Sequence, residues 1–251
     1  MRNAPDLIYQ INADARRAGS STSIAQFASL MSHAQYRVPY EITSRHVTAG
    51  QEVLDWGCGN GHFSILLRHL GARTTGYSFE DAPAFLADDP LFRHARGSED
   101  DPRRIPFAAG TFDRVCSVGV LEHVWETGGD ERDSLREIAR ILKPGGLFLT
   151  FHLPNQRGWI EPAFRALGVR TYHHKRRYDA AQIQRLWNDA GFDVVELGTY
   201  NMLPRNMATA LPRSLRHSRL LAGVYDAMDT LLHGILARFA TNYFVVGRRR
   251  E

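Results

Sequence analysis

Residues 51–66 read QEVLDWGCGNGHFSIL. The opening EVLDW is apolar enough for a short buried strand and closes on Asp55. Gly57, Gly59 and Gly61 follow at alternate positions, and from about Gly61 to Leu70 the apolar residues recur at helical spacing. Three glycines between a strand and a helix free the main chain from Cβ atoms and open left-handed dihedrals. The helix start then directs unpaired N–H groups at whatever lies over the turn. A strand-to-helix turn of this kind is where open parallel sheets bind ligands.

Working outward, ARTTGYS is a second strand and FDRVCSVGV a third. ERDSLREIARIL carries Leu135, Ile138, Ile141 and Leu142 on one helical stripe, and KPGG is expected to stop that helix. LFLTFHL is then a fourth strand. Strands alternating with helices predict an α/β, Rossmann-like, doubly wound and mainly parallel sheet. Further on, DAAQIQRLWNDAGF reads as an amphipathic helix with Asp179 as its cap, followed by the strand DVVELGTY. A long amphipathic helix is expected at about 214–237 and a final strand at about 242–248. The first fifty residues suggest one or two short helices with a loop at YRVPY.

These elements divide a single domain, 1–251, into a helical cap over 1–48, a ligand-binding core over 49–153, and a substrate-side half over 154–251. The amino terminus lacks the apolar core of a secretory signal. Cys58 and Cys116 give neither a disulfide framework nor a metal-spaced pair, so a cytoplasmic setting is expected. Charge is uneven: residues 151–251 hold 15 Lys+Arg against 8 Asp+Glu, while residues 1–150 hold 16 against 19. That asymmetry suggests an anionic partner for the second part, or simply a solvated arginine-rich surface. The long helix invites two readings, a cover on the core or a surface for peripheral membrane contact.

The spacing D-x-G-x-G-x-G departs from the dinucleotide fingerprint, because position 62 is histidine rather than glycine. An aspartate ahead of the glycines also repels a pyrophosphate. It suits a ligand with an ammonium and a sulfonium, that is, S-adenosylmethionine. VLDWGCGNGHFS resembles motif I of class I S-adenosylmethionine-dependent methyltransferases. IPFAAGTFDRVCSVGVLEHV and LREIARILKPGGLFLTFHLPN resemble later motifs of their ubiquinone/menaquinone-type branch. The resemblance is close over 52–155 and implies a seven-stranded sheet and S-adenosylmethionine as cofactor, with no metal.

By that resemblance, Asp55 and Gly57 hold the methionine end of the cofactor, and Gly59 and Gly61 let it cross the turn. The ribose contact falls to Ser78 or Glu80, since GYSFED has serine where the family has an acid. Glu99, Asp100 and Asp101 stand where the adenine amino group is contacted, or form a solvated turn. Gly119 approaches the methionine moiety. Methyl transfer needs a base only if the acceptor must lose a proton. His123 and His152 are the candidates, one ending VLEHV and the other near the end of LFLTF, each with a structural alternative. Asn155, Trp159, His174, Arg176, Arg177 and Tyr178 are expected to bind an acceptor, with the arginines forking onto a carboxylate or phosphate.

The sequence thus predicts methylation, most simply on oxygen, of a small-molecule or lipid- or sugar-linked acceptor. It lacks the base-amine methylation signature and interleaved aromatics, which argues against nucleic acid. A non-catalytic S-adenosylmethionine-binding scaffold is the rival of a different class, and the glycine spacing disfavours a nicotinamide enzyme.

Overall fold

A computed structural model describes residues 4–17, 24–98, 101, 103–169, 174–204 and 211–251. Seven strands form one sheet: β1 (Glu52–Trp56), β2 (Arg73–Ser78), β3 (Phe92–Arg96), β4 (Phe112–Val118), β5 (Leu142–Pro154), β6 (Phe192–Tyr200) and β7 (Asn242–Arg249). Their spatial order is β3-β2-β1-β4-β5-β7-β6. The first five run parallel, and β7 is inserted antiparallel between β5 and β6. Strand order reverses between β1 and β4, where Trp56 registers with Ser117. A crevice at the carboxyl ends of these two strands is therefore the expected ligand position.

Helices cover both faces: α1 (Ala4–Arg17), α2 (Leu30–Ala34), α3 (Arg37–His46), α4 (His62–His69), α5 (Glu131–Ile141), α6 (Ile160–Ala166), α7 (Ala180–Asp189), α8 (Arg213–Arg216) and α9 (Arg219–Leu236). Alternation along the strands sorts the core. Val53, Cys116, Leu149 and Phe151 face one layer with Tyr40, Phe63 and Leu66. Leu54, Val115 and Phe148 face the other with Leu135, Ile138, Ile183 and Trp187. The Phe148 and Trp187 rings stack at 6.1 Å. Burial on both faces explains why the central strands read as continuous apolar runs.

The structure corrects several expectations. YRVPY is not a loop: Arg37 opens α3, and Pro39 falls in its first turn, where a missing N–H costs nothing. The amino-terminal region is more helical than expected, with a 14-residue α1. FRHAR, too polar to stand out, forms edge strand β3. The helix ends at Ile141, but KPGG belongs to the irregular start of β5, where pairing with β4 shifts register between Phe112 and Arg114. The long helix is two, with Ser218 capping α9 through a bond from the Leu221 N–H. Asp179 caps α7 in a reciprocal box with Gln182.

Candidate functional site

A cleft of about 280 Å³ opens at the β1/β4 switch point. Its walls include Trp56, Gly57, Gly59, Ser78, Phe79, Glu80, Gly119, Val120 and His123. The three motif glycines share a positive φ but differ in what a Cβ would meet. At Gly57 it would stand 2.3 Å from Val120 Cγ2, so bareness there admits the neighbouring wall. The Gly57 N–H donates to Tyr77 C=O at 2.8 Å. At Gly59 the space is open, with Glu80 Oε2 at 3.8 Å, so bareness there faces the cleft. At Gly61 a Cβ would meet Pro83 at 2.8 Å, and Gly61 is not on the cleft wall. Its bareness seats the 3₁₀ turn at Ala84–Leu86 against the start of α4.

Ser78 and Glu80 both reach the cleft. The Ser78 hydroxyl lies 3.2 Å from His94 Nε2, while Glu80 is exposed above the glycine turn. Asp55 lies below that turn. It is buried and accepts a 2.6 Å bond from the Ser64 hydroxyl of α4. Burial pushes its carboxyl up to about 7 despite that bond. Asp101 is exposed and off the cleft wall; Glu99 and Asp100 lie outside the described residues. Gly119, with φ 68°, stands between Glu122 and His152: a Cβ there would lie 3.7 Å from Glu122 Oε1 and 3.9 Å from His152 Cβ.

The two candidate bases differ in environment. His123 lines the cleft, and its Nδ1 is 3.1 Å from Glu126 Oε1. Its Nε2 lies on the other side of the ring, 3.9 Å from Glu122 Oε1; a proton on Nδ1, donated to Glu126, would make Nε2 the acceptor nitrogen. His152 has φ 64°, an uncommon conformation for a residue with a Cβ, at the β5 bulge. Its ring lies between Tyr36, at 5.1 Å, and Tyr200, at 5.6 Å. The Tyr200 oxygen accepts the His152 backbone N–H at 2.7 Å and sits 3.2 Å from Nδ1. Burial holds the Tyr200 phenol protonated, so its hydroxyl donates to Nδ1 and the His152 proton resides on Nε2. Burial also pushes His152 down to about 4, so it is neutral near pH 7 and presents a donor rather than a base.

Most of the expected acceptor residues have partners in the scaffold. Asn155 is buried, donates to Arg238 C=O at 3.0 Å and Ala240 C=O at 2.7 Å, and accepts the Arg157 N–H at 3.0 Å. Arg177 donates to the carbonyls of Asn155 at 2.8 Å and Gly158 at 2.9 Å. Tyr178 is packed in the core, its hydroxyl 3.4 Å from Glu131. The Trp159 indole N–H donates to Met202 C=O at 2.8 Å. Arg176 reaches Glu131 at 3.4 Å from an exposed position. Of the six, only His174 comes near a residue of the cleft wall, its ring 5.7 Å from that of His123 and its Nδ1 bonded to Glu161, and it is not itself on that wall. Arg177 thus clasps the loop after β5, while Arg176 reaches Glu131 at the start of α5.

Sequence reasoning missed Glu122. It is buried beside His123, its Oε2 has no hydrogen-bond partner, and burial pushes its carboxyl up to about 8. The signal was an acid next to His123 in VLEHV, among apolar neighbours. Glu122, His123 and His174 bring one ligating atom each within 4.8 Å of one another, a donor set that a divalent cation accepts. The Glu161 bond already engages one ring nitrogen of His174.

A 3-2-1-4-5-7-6 sheet with a glycine-lined cleft at the switch point and an acid above it defines a nucleoside-binding domain of the class I methyltransferase architecture. The profile of the family described as "Methyltransferase domain" matches residues 23–197, and the chain belongs to that family of S-adenosylmethionine-dependent methyltransferases. A Pseudomonas paraeruginosa ubiquinone biosynthesis O-methyltransferase is 31% identical over 187 residues, covering 67% of this chain and 77% of that protein. A Mycolicibacterium smegmatis protein named a probable S-adenosylmethionine-dependent methyltransferase is 31% identical over 161 residues, covering 62% of this chain and 58% of that one. In fold, the chain is similar to the methyltransferase solved with the Haloferax volcanii Trm112 methyltransferase activator. The TM-score is 0.60 and the identity 22%, covering 92% of this chain and 96% of that one.

Proposed function

We propose that the protein transfers a methyl group from S-adenosylmethionine to an oxygen of a small-molecule or lipid- or sugar-linked acceptor, with His123 as general base. The observation that carries this is the single wall that joins bare Gly59 and Gly119 to a histidine whose Nδ1 is turned to a carboxylate. O-methylation accords with the relatives named ubiquinone biosynthesis O-methyltransferase.

The residues fit the cofactor. Gly59 and Gly119 leave backbone uncovered along the cleft, and Glu80 offers acceptor oxygens above the turn, suited to vicinal hydroxyls. Of the two ribose candidates, Glu80 is the better donor-seeker, because Ser78 already meets His94. Trp56, Phe79, Val120 and Val124 form apolar walls that exclude water. Bound S-adenosylmethionine supplies a methyl already activated by its sulfonium. His123 takes the acceptor hydroxyl proton at Nε2, and Glu126 stabilises the resulting imidazolium. His152, a donor at Nε2, positions rather than deprotonates. Alignment is the remaining contribution, worth roughly 7–11 kcal/mol when geometry is good.

The test is His123→Gln, assayed for turnover and for S-adenosylhomocysteine binding by calorimetry. General-base loss lowers kcat by about 10²–10⁴ and leaves product affinity unchanged. A variant that keeps kcat within about threefold removes His123 from the role.

A further inference from the structure

Helix α9 is docked with its polar side inward. Buried Asp229 accepts the backbone N–H groups of Met202 at 2.9 Å and Leu203 at 2.8 Å. Arg37 of α3 lies 3.1 Å from Asp226 and donates to Thr230 at 2.9 Å. His233 Nε2 is 3.1 Å from the Thr199 hydroxyl. On a 3.6-residue helix these groups share one side. Leu220, Val224, Met228, Leu231 and Ile235 recur at steps of three and four on the other. That side faces out: Leu220 is 80%, Leu231 67% and Ile235 72% exposed. A surface helix of a soluble domain normally shows the reverse arrangement.

We propose that this outward face is a docking surface for an anionic lipid bilayer, lying in its interfacial layer. Charge argues for that occupant. Both acidic side chains of α9 are turned inward, so the outward face carries no anion. Arg238 follows the helix and is exposed beside the carboxyl end of the stripe, whereas Arg219 lies over the Tyr9 ring at 4.8 Å on the polar side and Arg216 donates to Leu211 C=O at 2.9 Å. Residues 151–251 as a whole carry 15 Lys+Arg against 8 Asp+Glu. An apolar face without anions and with a cation at its edge is what anionic headgroups over acyl chains accept. A second copy fits worse, because its identical stripe offers no acid to meet Arg238.

Residues 219–239 are long and apolar enough, by length and composition, to cross a membrane. The inward ties of Asp226 and Asp229 hold the helix on the protein, so it lies along the interface instead. α9 packs on α2, whose chain runs directly into Tyr36, 5.1 Å from His152. Through its inward side the helix thus joins the layer that carries Tyr36 and His152 beside Gly119; that a lipid-linked acceptor reaches the cleft from this side rests on the proposed reaction.

The test is sedimentation with phosphatidylcholine vesicles containing about 30% phosphatidylglycerol, against pure phosphatidylcholine, at low and high salt. Binding is expected to the anionic vesicles and to weaken with salt. Leu231→Glu with Ile235→Glu should weaken it by about tenfold or more. Both positions are exposed, so the urea midpoint and S-adenosylhomocysteine affinity should not change. No binding to anionic vesicles, or equal binding by the double variant, overturns the proposal. So does a concentration-dependent dimer that the double variant abolishes, which would assign the face to a second copy. Failure of the methyltransferase reading shows separately, as absent S-adenosylhomocysteine affinity in the unmodified protein.

Discussion

Gly57→Ala tests whether the glycine turn is shaped by its own wall or by a ligand. The backbone there has φ 76°, and a Cβ would stand 2.3 Å from Val120 Cγ2, 3.1 Å from Cγ1 and 3.3 Å from Cβ. Left-handed dihedrals with a side chain cost about 1–2 kcal/mol. The overlap adds a packing penalty of about 1–3 kcal/mol, because Val120 must rotate or the β4 terminus must shift. Gly57→Ala should therefore destabilise by about 2–5 kcal/mol, a large part of a domain's margin. The second substitution, Val120→Ala, removes both methyls that clash. The double variant should regain the packing part and keep the dihedral part, a coupling of about 1–3 kcal/mol. Urea unfolding of the four proteins closes the cycle. Gly59→Ala is the control: with only Glu80 at 3.8 Å, it should cost about 1–2 kcal/mol of stability yet lower S-adenosylhomocysteine affinity, because its Cβ enters the cleft. If Val120→Ala adds to Gly57→Ala instead of rescuing it, the wall-contact explanation is wrong.

Glu80→Ala should weaken S-adenosylhomocysteine about tenfold or more while leaving stability within about 0.5 kcal/mol, since the side chain is exposed; calorimetry and urea unfolding read the two effects. Asn155→Ala should cost about 2–3 kcal/mol by leaving the Arg238 and Ala240 carbonyls without their donor, with acceptor KM unchanged. pH offers a fourth check. Burial raises Asp55 to about 7 and Glu122 to about 8, so between the ordinary carboxylate range and those values the folded state binds more protons than the unfolded one. Stability from these groups is then lost as pH rises, by up to about 1.4 kcal/mol per unit for each. His33 and His62, lowered to about 3, and His152, lowered to about 4, act oppositely but only below the ordinary histidine value. Between pH 6.5 and 8 the acids dominate: the ligand-free protein should lose stability as pH rises, and Glu122→Gln should flatten that slope. A slope unchanged by Glu122→Gln would show that the carboxyl is solvated.

The parts of the site legible in the sequence were those written in consecutive residues. Asp55 to Gly61 gave the strand, the turn and the helix start, and VLEHV gave a histidine beside the cofactor cleft. The GYSFED departure was also readable, and the structure brings both of its candidates, Ser78 and Glu80, to the cleft. Individual roles were less legible. Gly57 and Gly61 look alike in sequence, yet their missing Cβ atoms accommodate Val120 and Pro83, residues 63 and 22 positions away. Arg177, Asn155 and Tyr178 looked like an acceptor pocket because polar residues cluster there. Their partners are backbone carbonyls and Glu131, which no local pattern reveals.

Glycine spacing and apolar periodicity determined the fold class, because they act through neighbours along the chain and through which face of an element is wet. Only the tertiary structure decided that His123 is turned by Glu126 while His152 is locked by Tyr200, and that α9 shows its apolar side to solvent. Periodicity identifies that α9 has two faces but is symmetric as to which one packs. Distant Arg37 and the amides of Met202 and Leu203 settled it, by supplying partners that its acids could not leave unmet.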